Sequence, residues 1–217
     1  MMKKGKVDII TMCCSKNLVD SEQLMRQFDA LGYKVSHDAE KPDGEVVIVN
    51  TCGFIGDAKE ESINTILQLA DLKKRRKIEK LYVMGCLSER YMADLQQEIP
   101  EVDKYFGKFN YNEILTDLGQ EYRADLRLER SLTTPAHYAY LKISEGCNRT
   151  CSYCAIPLIT GKHRSRSMDD LEKEVRMLVG KGVKEFHLIA QDLSYYGIER
   201  YKSQKLAELL ERLSDIP

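Results

Sequence analysis

Short β-rich runs alternate with helical patterns along the first 120 residues. In the stretch that follows the first run, apolar residues recur at helical spacing up to Leu31, and Gly32 follows as a stop. Strands that alternate with helices indicate a mostly parallel sheet with helices on both faces. The sequence therefore predicts an α/β fold built on an open parallel sheet. The runs are KVDIITMCC (6–14), EVVIVNTC (45–52) and KLYVMGC (80–86), with weaker ones at YKVS (33–36) and KYFG (104–107).

The pattern restarts after a charged and then polar stretch that contains Pro135. It gives a strand at 138–144, a cysteine-rich loop, a helix at 168–180, a strand at 185–190 and the opening of a helix at 205–213. These are two β/α units, whereas closing a barrel takes about six to eight. We therefore expect an α/β domain at 1–120, a linker at 121–136 and, at 137–217, the first part of a β/α barrel that is incomplete at Pro217.

Composition limits the class of protein. The 33 Lys and Arg residues against 34 Asp and Glu give a formal charge of −1, which argues against a chain that binds nucleic acid with its whole surface. No apolar run approaches the length of a membrane span, and the basic start lacks the apolar core of a signal peptide. We therefore expect a cytoplasmic protein without membrane contact. In that compartment, seven cysteines indicate metal or redox chemistry rather than disulfides.

One basic stretch, Lys73–Lys77, ends the second helical pattern. A basic last turn complements the helix dipole, and the same charges could contact RNA, so both interpretations stay open.

Three cysteines of the first domain, Cys14, Cys52 and Cys86, each end a β-rich run. Because the carboxyl ends of parallel strands lie along one edge of a sheet, we expect these thiols to meet in space. Each is followed by a passage into a helix, whose N-terminal N–H groups favour thiolates. The alternative is three buried cysteines that behave as small hydrophobic residues. Three at equivalent strand ends favour a shared metal site.

Cys13 precedes the first of these ligands directly. Neighbouring residues of a strand point to opposite faces, so Cys13 and Cys14 are not expected to bind the same metal group. Cys14 lies nearer the loop and is the predicted ligand.

The second cysteine set is in EGCNRTCSYCAIP (145–157), where Cys147, Cys151 and Cys154 follow a predicted strand. Structural zinc requires four ligands, usually two pairs, and here a fourth ligand would have to be a residue such as His163. A tetranuclear iron–sulfur cluster needs one ligand for each iron, so three thiols would leave one iron open to a small molecule. This pattern favours a metal group that takes part in a reaction over one that only stabilises the fold.

These motifs resemble a known family. CxxxCxxC after the first strand of a β/α barrel, with Tyr153 before the last cysteine, is similar to the radical S-adenosylmethionine enzymes. CCSKNLVDSE, NTCGFI and GCLSER resemble the cysteine motifs of the methylthiotransferase N-terminal domain. The resemblance covers essentially the whole chain. It departs from the family at Cys13, where glycine is usual, and in length, since the rest of the barrel and a C-terminal RNA-binding-like domain are not among these residues.

The family has two branches, which modify an adenosine of transfer RNA or an aspartate of the twelfth protein of the small ribosomal subunit. IAQDLSYYG (189–197) resembles the protein-modifying branch, because the transfer-RNA branch tends to have Gly-Gln-Asn there. Ser144 and Ser167, which flank the second cysteine set, agree with this assignment.

The resemblance implies two [4Fe–4S] clusters and S-adenosylmethionine as cofactors. Cys147, Cys151 and Cys154 would hold the cluster that binds and cleaves S-adenosylmethionine, and the resulting radical would take hydrogen from the β-carbon of the aspartate. Cys14, Cys52 and Cys86 would hold an auxiliary cluster that carries the sulfur. The implied partners are the ribosomal protein and an electron donor, with any nucleic-acid contact made through the C-terminal domain.

Other residues are weaker candidates. Tyr153 could contact the cofactor or pack in a core, and Gln191 follows a strand, where barrel enzymes place functional groups. Asp192 could act there too or cap a helix. Arg164 and Arg166 could meet a carboxylate or phosphate or lie in a solvated loop.

Two alternatives to the protein-modifying enzyme remain: a transfer-RNA adenosine methylthiotransferase, and an iron–sulfur or zinc-binding module without catalysis. The second follows from the incomplete barrel, since such a fragment could be inactive.

Overall fold

The structure, a computed structural model, describes residues 5–12 and 14–217. Contacts within the chain divide it into two compact units, one that extends to Ser131 and one at Leu132–Pro217. None of the helices in these described ranges is long and apolar enough to cross a membrane.

The first unit is a parallel sheet with helices on both faces, which confirms the predicted open α/β sheet. Its strand order in the described residues is β2-β1-β3-β4-β5, and every pairing is parallel. The strands are β1 (Lys6–Thr11), β2 (Lys34–His37), β3 (Val46–Thr51), β4 (Lys80–Gly85) and β5 (Lys104–Tyr105), and the helices are α1 (Ser15–Ala30), α2 (Gly56–Lys74), α3 (Cys86–Glu98) and α4 (Tyr111–Asp117).

The central strands are apolar on both faces because both faces are covered. Val47 and Val49 of β3 pack with α2 and α3, whereas Ile48 packs on the opposite side with α1 and α4. All six residues of β3 are buried. A continuous run of β-branched residues is the expected sequence for a strand in the middle of such a sheet.

The second unit contains the opening of a β/α barrel, as predicted. Strands β6 and β9 pair in parallel, and the helix between them packs on one face of the pair through Leu171 and Val175. The elements are β6 (Tyr138–Lys142), β7 (Ser144–Glu145), α5 (Ile156–Thr160), β8 (Arg164–Ser165), α6 (Met168–Gly180), β9 (Glu185–Ile189), α7 (Ile198–Tyr201) and α8 (Leu206–Ser214).

The expected linker at 121–136 spans the division between the units, and the domain bounds remain a prediction. Part of this stretch lies against α1. The Gln27 side chain donates to the carbonyl of Arg123 (3.0 Å) and accepts from its N–H (2.9 Å). Arg130 pairs with Glu22 at 3.0 Å, and both side chains are buried. Residues 123–131 are therefore part of the first unit's packing.

The basic end of α2 forms local ion pairs. Lys73 pairs with Asp103, Lys74 with Glu101 and Arg75 with Asp71. These contacts agree with a solvated helix terminus and do not address an RNA contact.

Candidate metal centres

The three cysteines of the first unit lie at the carboxyl edge of the parallel sheet. Cys14 is the N-cap of α1, Cys52 directly follows β3, and Cys86 is the first residue of α3. With strand order 2-1-3-4-5, the switch point of the topology lies between β1 and β3, where ligands of such sheets bind. Cys14 and Cys52 follow these two strands.

The position of Cys86 differs from the prediction in one respect. The sequence predicts a strand that ends at Cys86, followed by a loop. In the structure, β4 ends at Gly85 and α3 begins directly at Cys86. Gly85 makes this turn with φ of +101°, and a Cβ there would lie 2.5 Å from the carbonyl oxygen of Thr51. Only glycine fits this conformation and this close approach. The thiol of Cys86 is consequently held at a helix N-terminus.

A second glycine brings the loop of Cys52 against the start of α3. A Cβ on Gly53 would lie 2.7 Å from the backbone N and Cα of Leu87 and 2.8 Å from the carbonyl carbon of Cys86. The residue after Cys52 therefore touches the backbone of the residue that carries the third thiol.

Asn17 connects the ends of β1 and β3. Its side-chain amide donates to the carbonyl oxygens of Met12 (3.3 Å) and Thr51 (3.0 Å), and its backbone N–H donates to the Cys14 Sγ at 3.4 Å. Its Oδ1 lies 4.0 Å from the Cys86 Sγ. One buried asparagine thus contacts two of the three thiols and fixes the turns around them.

The first three thiols share one electrostatic environment. The pKa of Cys86 is raised to about 11, mainly by burial; the charge of Lys108 lowers it, and the charges of Cys14, Cys52 and Asp20 raise it. Cys13 lies outside the described residues, so its expected orientation away from the site stays a prediction.

The second set lies in the loop after β7, with its cysteines at different depths. Cys147 is buried, Cys154 is partly buried and Cys151 is exposed. The loop is pinned at its start, because the Cys147 N–H donates to the carbonyl of Gly161 at 3.1 Å. The Arg149 N–H donates to the Cys147 Sγ at 3.4 Å, and the Cys154 N–H donates to the carbonyl of Cys151 at 3.1 Å.

Side chains from β6 and from the end of β9 surround this loop. Lys142 pairs with Glu145 at 2.7 Å, and the amide of Gln191 donates to the other carboxylate oxygen of Glu145 at 2.9 Å. Arg149 of the loop pairs with Asp192 at 2.8 Å. A hydrogen bond from the Ser194 hydroxyl, together with the contact to Arg149, holds the pKa of Asp192 below its usual range.

The other predicted residues separate into exposed and structural positions. Tyr153 is 88% exposed, so it does not pack in a core. His163 is buried and its ring bonds to the Ser165 hydroxyl at 3.2 Å. Arg166 donates to the carbonyl of Lys142 (3.0 Å) and pairs with Glu174, whereas Arg164 is exposed in β8.

Comparison with known proteins decides the family. Residues 6–107 match the uncharacterized protein family UPF0004, and residues 141–216 match the Radical SAM superfamily. The chain is 64% identical over 216 residues to the "Ribosomal protein uS12 methylthiotransferase RimO" of Phocaeicola vulgatus, covering 100% of this chain and 50% of that protein. Its identity to the protein of the same name from Flavobacterium johnsoniae is 52%, covering 99% of this chain and 49% of that one. This chain belongs to the radical S-adenosylmethionine methylthiotransferase family.

Solved structures support the fold of this family member. The radical S-adenosylmethionine methyltransferase TsrM of Kitasatospora setae aligns with a TM-score of 0.59 at 13% identity, covering 97% of this chain and 50% of that one. A second structure of TsrM, with cobalamin and a [4Fe–4S] cluster bound, gives the same TM-score at 12% identity, covering 95% and 51%. The chain spans about half the length of the curated relatives it matches.

The donor chemistry fits the cofactors of the family, which are S-adenosylmethionine and [4Fe–4S] clusters. Each set offers three soft thiol donors, which suit iron–sulfur clusters. In residues 5–12 and 14–217, no three His, Cys, Asp or Glu side chains are grouped closely enough to hold a metal ion. The cysteine sulfurs that bind a four-iron cluster lie farther apart than those that bind a single metal ion. The fit to a cluster is therefore judged by the type of donor and by the position of the loops that carry the cysteines.

The sequence did not single out Lys108, Lys142 or Glu145. Lys108 and Lys142 are buried, although lysines are mostly exposed, and Glu145 adjoins the cysteine motif. The sequence offers one signal for these three residues: each lies near the end of a β-rich run, where an α/β protein places functional groups.

Proposed function

We propose that this chain forms the cluster-binding part of a methylthiotransferase that adds a methylthio group to the β-carbon of an aspartate in ribosomal protein uS12. The observation that carries the proposal is the occurrence of two three-cysteine sets in a chain 62–64% identical, over essentially its whole length, to proteins named uS12 methylthiotransferase. A structural or storage site would not require two separate sets that each leave an iron without a protein ligand.

Cys147, Cys151 and Cys154 would hold the cluster that binds S-adenosylmethionine. When bound, that cluster supplies the single electron that cleaves the sulfonium and starts the radical chemistry. The residues of this chain would hold the cysteine loop, and with it the cluster, in place. The buried Cys147 fixes the inner side of the loop, and the Arg149–Asp192 pair ties the loop to the segment after β9. The exposed Cys151 leaves the outer side open to a cofactor.

Gln191 and Tyr153 are the proposed cofactor contacts. Among the described residues, the buried Oε1 of Gln191 has no hydrogen-bond partner, while its amide nitrogen donates to Glu145. A buried acceptor without a partner is costly, so a donor such as an ammonium group of the cofactor would satisfy it. The exposed ring of Tyr153 is available to pack on a bound molecule.

Cys14, Cys52 and Cys86 would hold the auxiliary cluster, which would carry the sulfur to be transferred. Support comes from their position at the carboxyl edge of the sheet and from the contacts through Gly53 and Asn17 that draw their loops together. Ribosomal protein uS12 would be the substrate and an electron donor a second partner. A ribosomal-protein substrate in turn favours a cytoplasmic location.

Anaerobic reconstitution with iron and sulfide tests the proposal. The reduced chain should cleave S-adenosylmethionine to 5′-deoxyadenosine and, given uS12, yield the methylthiolated protein by mass spectrometry. Cys151→Ala should abolish cleavage, whereas Cys14→Ala should retain cleavage and lose methylthio transfer. Methylthiolation of transfer RNA in place of uS12 would assign the other branch, and iron binding without cleavage would indicate a non-catalytic module.

A further inference from the structure

A hydrogen-bonded row of three side chains connects the carboxyl ends of β6 and β9. Lys142, the last residue of β6, pairs with the Oε1 of Glu145 at 2.7 Å, and only 8% and 13% of these two side chains are exposed. The other carboxylate oxygen of Glu145 accepts a hydrogen bond from the Nε2 of Gln191 at 2.9 Å. Gln191 lies two residues after β9, which is the parallel partner of β6. The Lys142–Glu145–Gln191 row therefore joins two neighbouring strand ends.

The donors and acceptors of this row fix the orientation of the Gln191 amide. A lysine ammonium only donates, and a carboxylate paired with it only accepts. The amide nitrogen of Gln191 must therefore face Glu145, and the amide oxygen must face the other way. Within residues 5–12 and 14–217, this buried oxygen has no hydrogen-bond partner. Leaving a buried acceptor without a donor is costly, so its position favours a donor that is supplied by a bound molecule.

Gln191 lies beside the second cysteine set. Its hydrogen bond is made to Glu145, two residues before the buried Cys147. The neighbouring Asp192 pairs at 2.8 Å with Arg149, two residues after Cys147. The segment after β9 thus contacts the cysteine loop on both sides of its first thiol. The unpartnered oxygen belongs to a side chain that is tied to the loop of the second site.

We propose that Glu145 is a positioning residue that holds the Gln191 amide with its oxygen toward the cofactor, so that this oxygen accepts a hydrogen bond from the ammonium group of S-adenosylmethionine. Lys142 in turn holds Glu145. The proposal rests on the proposed function in requiring that the second cysteine set binds a cluster and this cofactor. It adds that the polarity of the Lys142–Glu145–Gln191 row decides whether the site presents an acceptor or a donor.

The test reverses this polarity with one nearly isosteric change, Glu145→Gln. Lys142 can pair only with the oxygen of the new amide, so the new NH2 group faces Gln191. The Gln191 amide must then turn its oxygen to that group and present its own NH2 group to the cofactor. Because two donors would face each other, the affinity for S-adenosylmethionine should fall about ten- to a hundredfold, as expected for a lost hydrogen bond to a charged group. Equilibrium dialysis of the reconstituted, unreduced chain measures this affinity without turnover.

A second change should restore the acceptor. In the double variant Glu145→Gln with Gln191→Glu, the carboxylate at position 191 accepts from the NH2 group at position 145 and offers its other oxygen to the ammonium. The net charge of the site is that of the parent, and the affinity should return close to the parent value. Glu185→Gln is the matched control, because it changes an exposed glutamate of β9 that pairs with His187 at 2.9 Å, and it should leave the affinity unchanged.

Each outcome decides the proposal, with the iron content of every variant measured in parallel. Unchanged or tighter binding in Glu145→Gln overturns it, and so does a double variant that binds as weakly as the single one. Loss of iron from Glu145→Gln would assign Glu145 to the structure of the loop and would also overturn it. If Glu145→Gln does not fold, Glu145→Met takes its place; it leaves the Gln191 amide free to rotate and should weaken binding, and an unchanged affinity overturns the proposal. A parent that holds iron but binds no S-adenosylmethionine would instead contradict the proposed function.

Discussion

Replacing Gly53 with alanine should damage the first thiol site without removing a sulfur. The added Cβ would meet the backbone of Leu87 at 2.7 Å, a distance that real Cβ atoms essentially never show, and a backbone contact cannot yield as a flexible side chain can. The loop after Cys52 must therefore move away from α3. Overpacking of this kind costs about 1–3 kcal/mol, so urea unfolding of the apoprotein should show a loss in that range. We expect the reconstituted variant to hold roughly four irons in place of roughly eight.

Gly56→Ala is the matched control, because Gly56 begins α2 three residues later and a Cβ there would meet nothing within 4 Å. It should keep the full iron content and gain about 0.4–1 kcal/mol of stability, since alanine restricts the unfolded chain. A Gly53→Ala protein with unchanged stability and roughly eight irons would refute the reasoning. It would show that the close approach of the two loops is not needed to assemble the site.

Further predictions concern the other cysteines and the contacts of α1. Cys151→Ala should lower the iron content of the reconstituted chain from roughly eight to roughly four, and loss of all iron would show that the two sites depend on each other. Cys13→Ala should leave iron analysis unchanged while Cys14→Ala empties the first site, because Cys14 caps α1 at the sheet edge and its Sγ accepts from the Asn17 N–H; the reverse result would make Cys13 the ligand. Arg130→Met removes the cation that pairs with the buried Glu22 and should cost about 3–5 kcal/mol in urea unfolding, whereas a loss below about 1 kcal/mol would contradict a buried pair.

The sequence predicts the sheet well because the strands are dense in β-branched residues and the helices carry clear periodic faces. The helix predicted at 168–180 has those bounds in the structure, and the strand predicted at 185–190 is one residue shorter. The first strand is shorter than predicted, because it ends at Thr11 and Cys14 already caps α1. The ends of elements depend on caps and tight turns, which hydrophobic patterns do not reveal.

What could not be predicted depends on partners far away in the sequence. A lysine after a weak strand is expected to be exposed, yet Lys108 is buried, and its backbone N–H donates to Glu89 in the first turn of α3. The charged stretch that contains Arg130 has the composition of a linker, yet Arg130 pairs with Glu22, which is 108 residues away. Local composition carries no information on such pairs.

The unequal depth of the cysteines sets an order of chemical vulnerability. Cys151 is exposed, whereas Cys147 and the first-unit residues Cys52 and Cys86 are buried. Alkylating reagents and oxidants act first on accessible thiols, so a brief treatment of the apoprotein should block the second set before the first. The two sets could then be disabled in sequence by reagent and time alone. Oxidation in a cell would follow the same order, with the exposed Cys151 attacked before the buried Cys52 and Cys86.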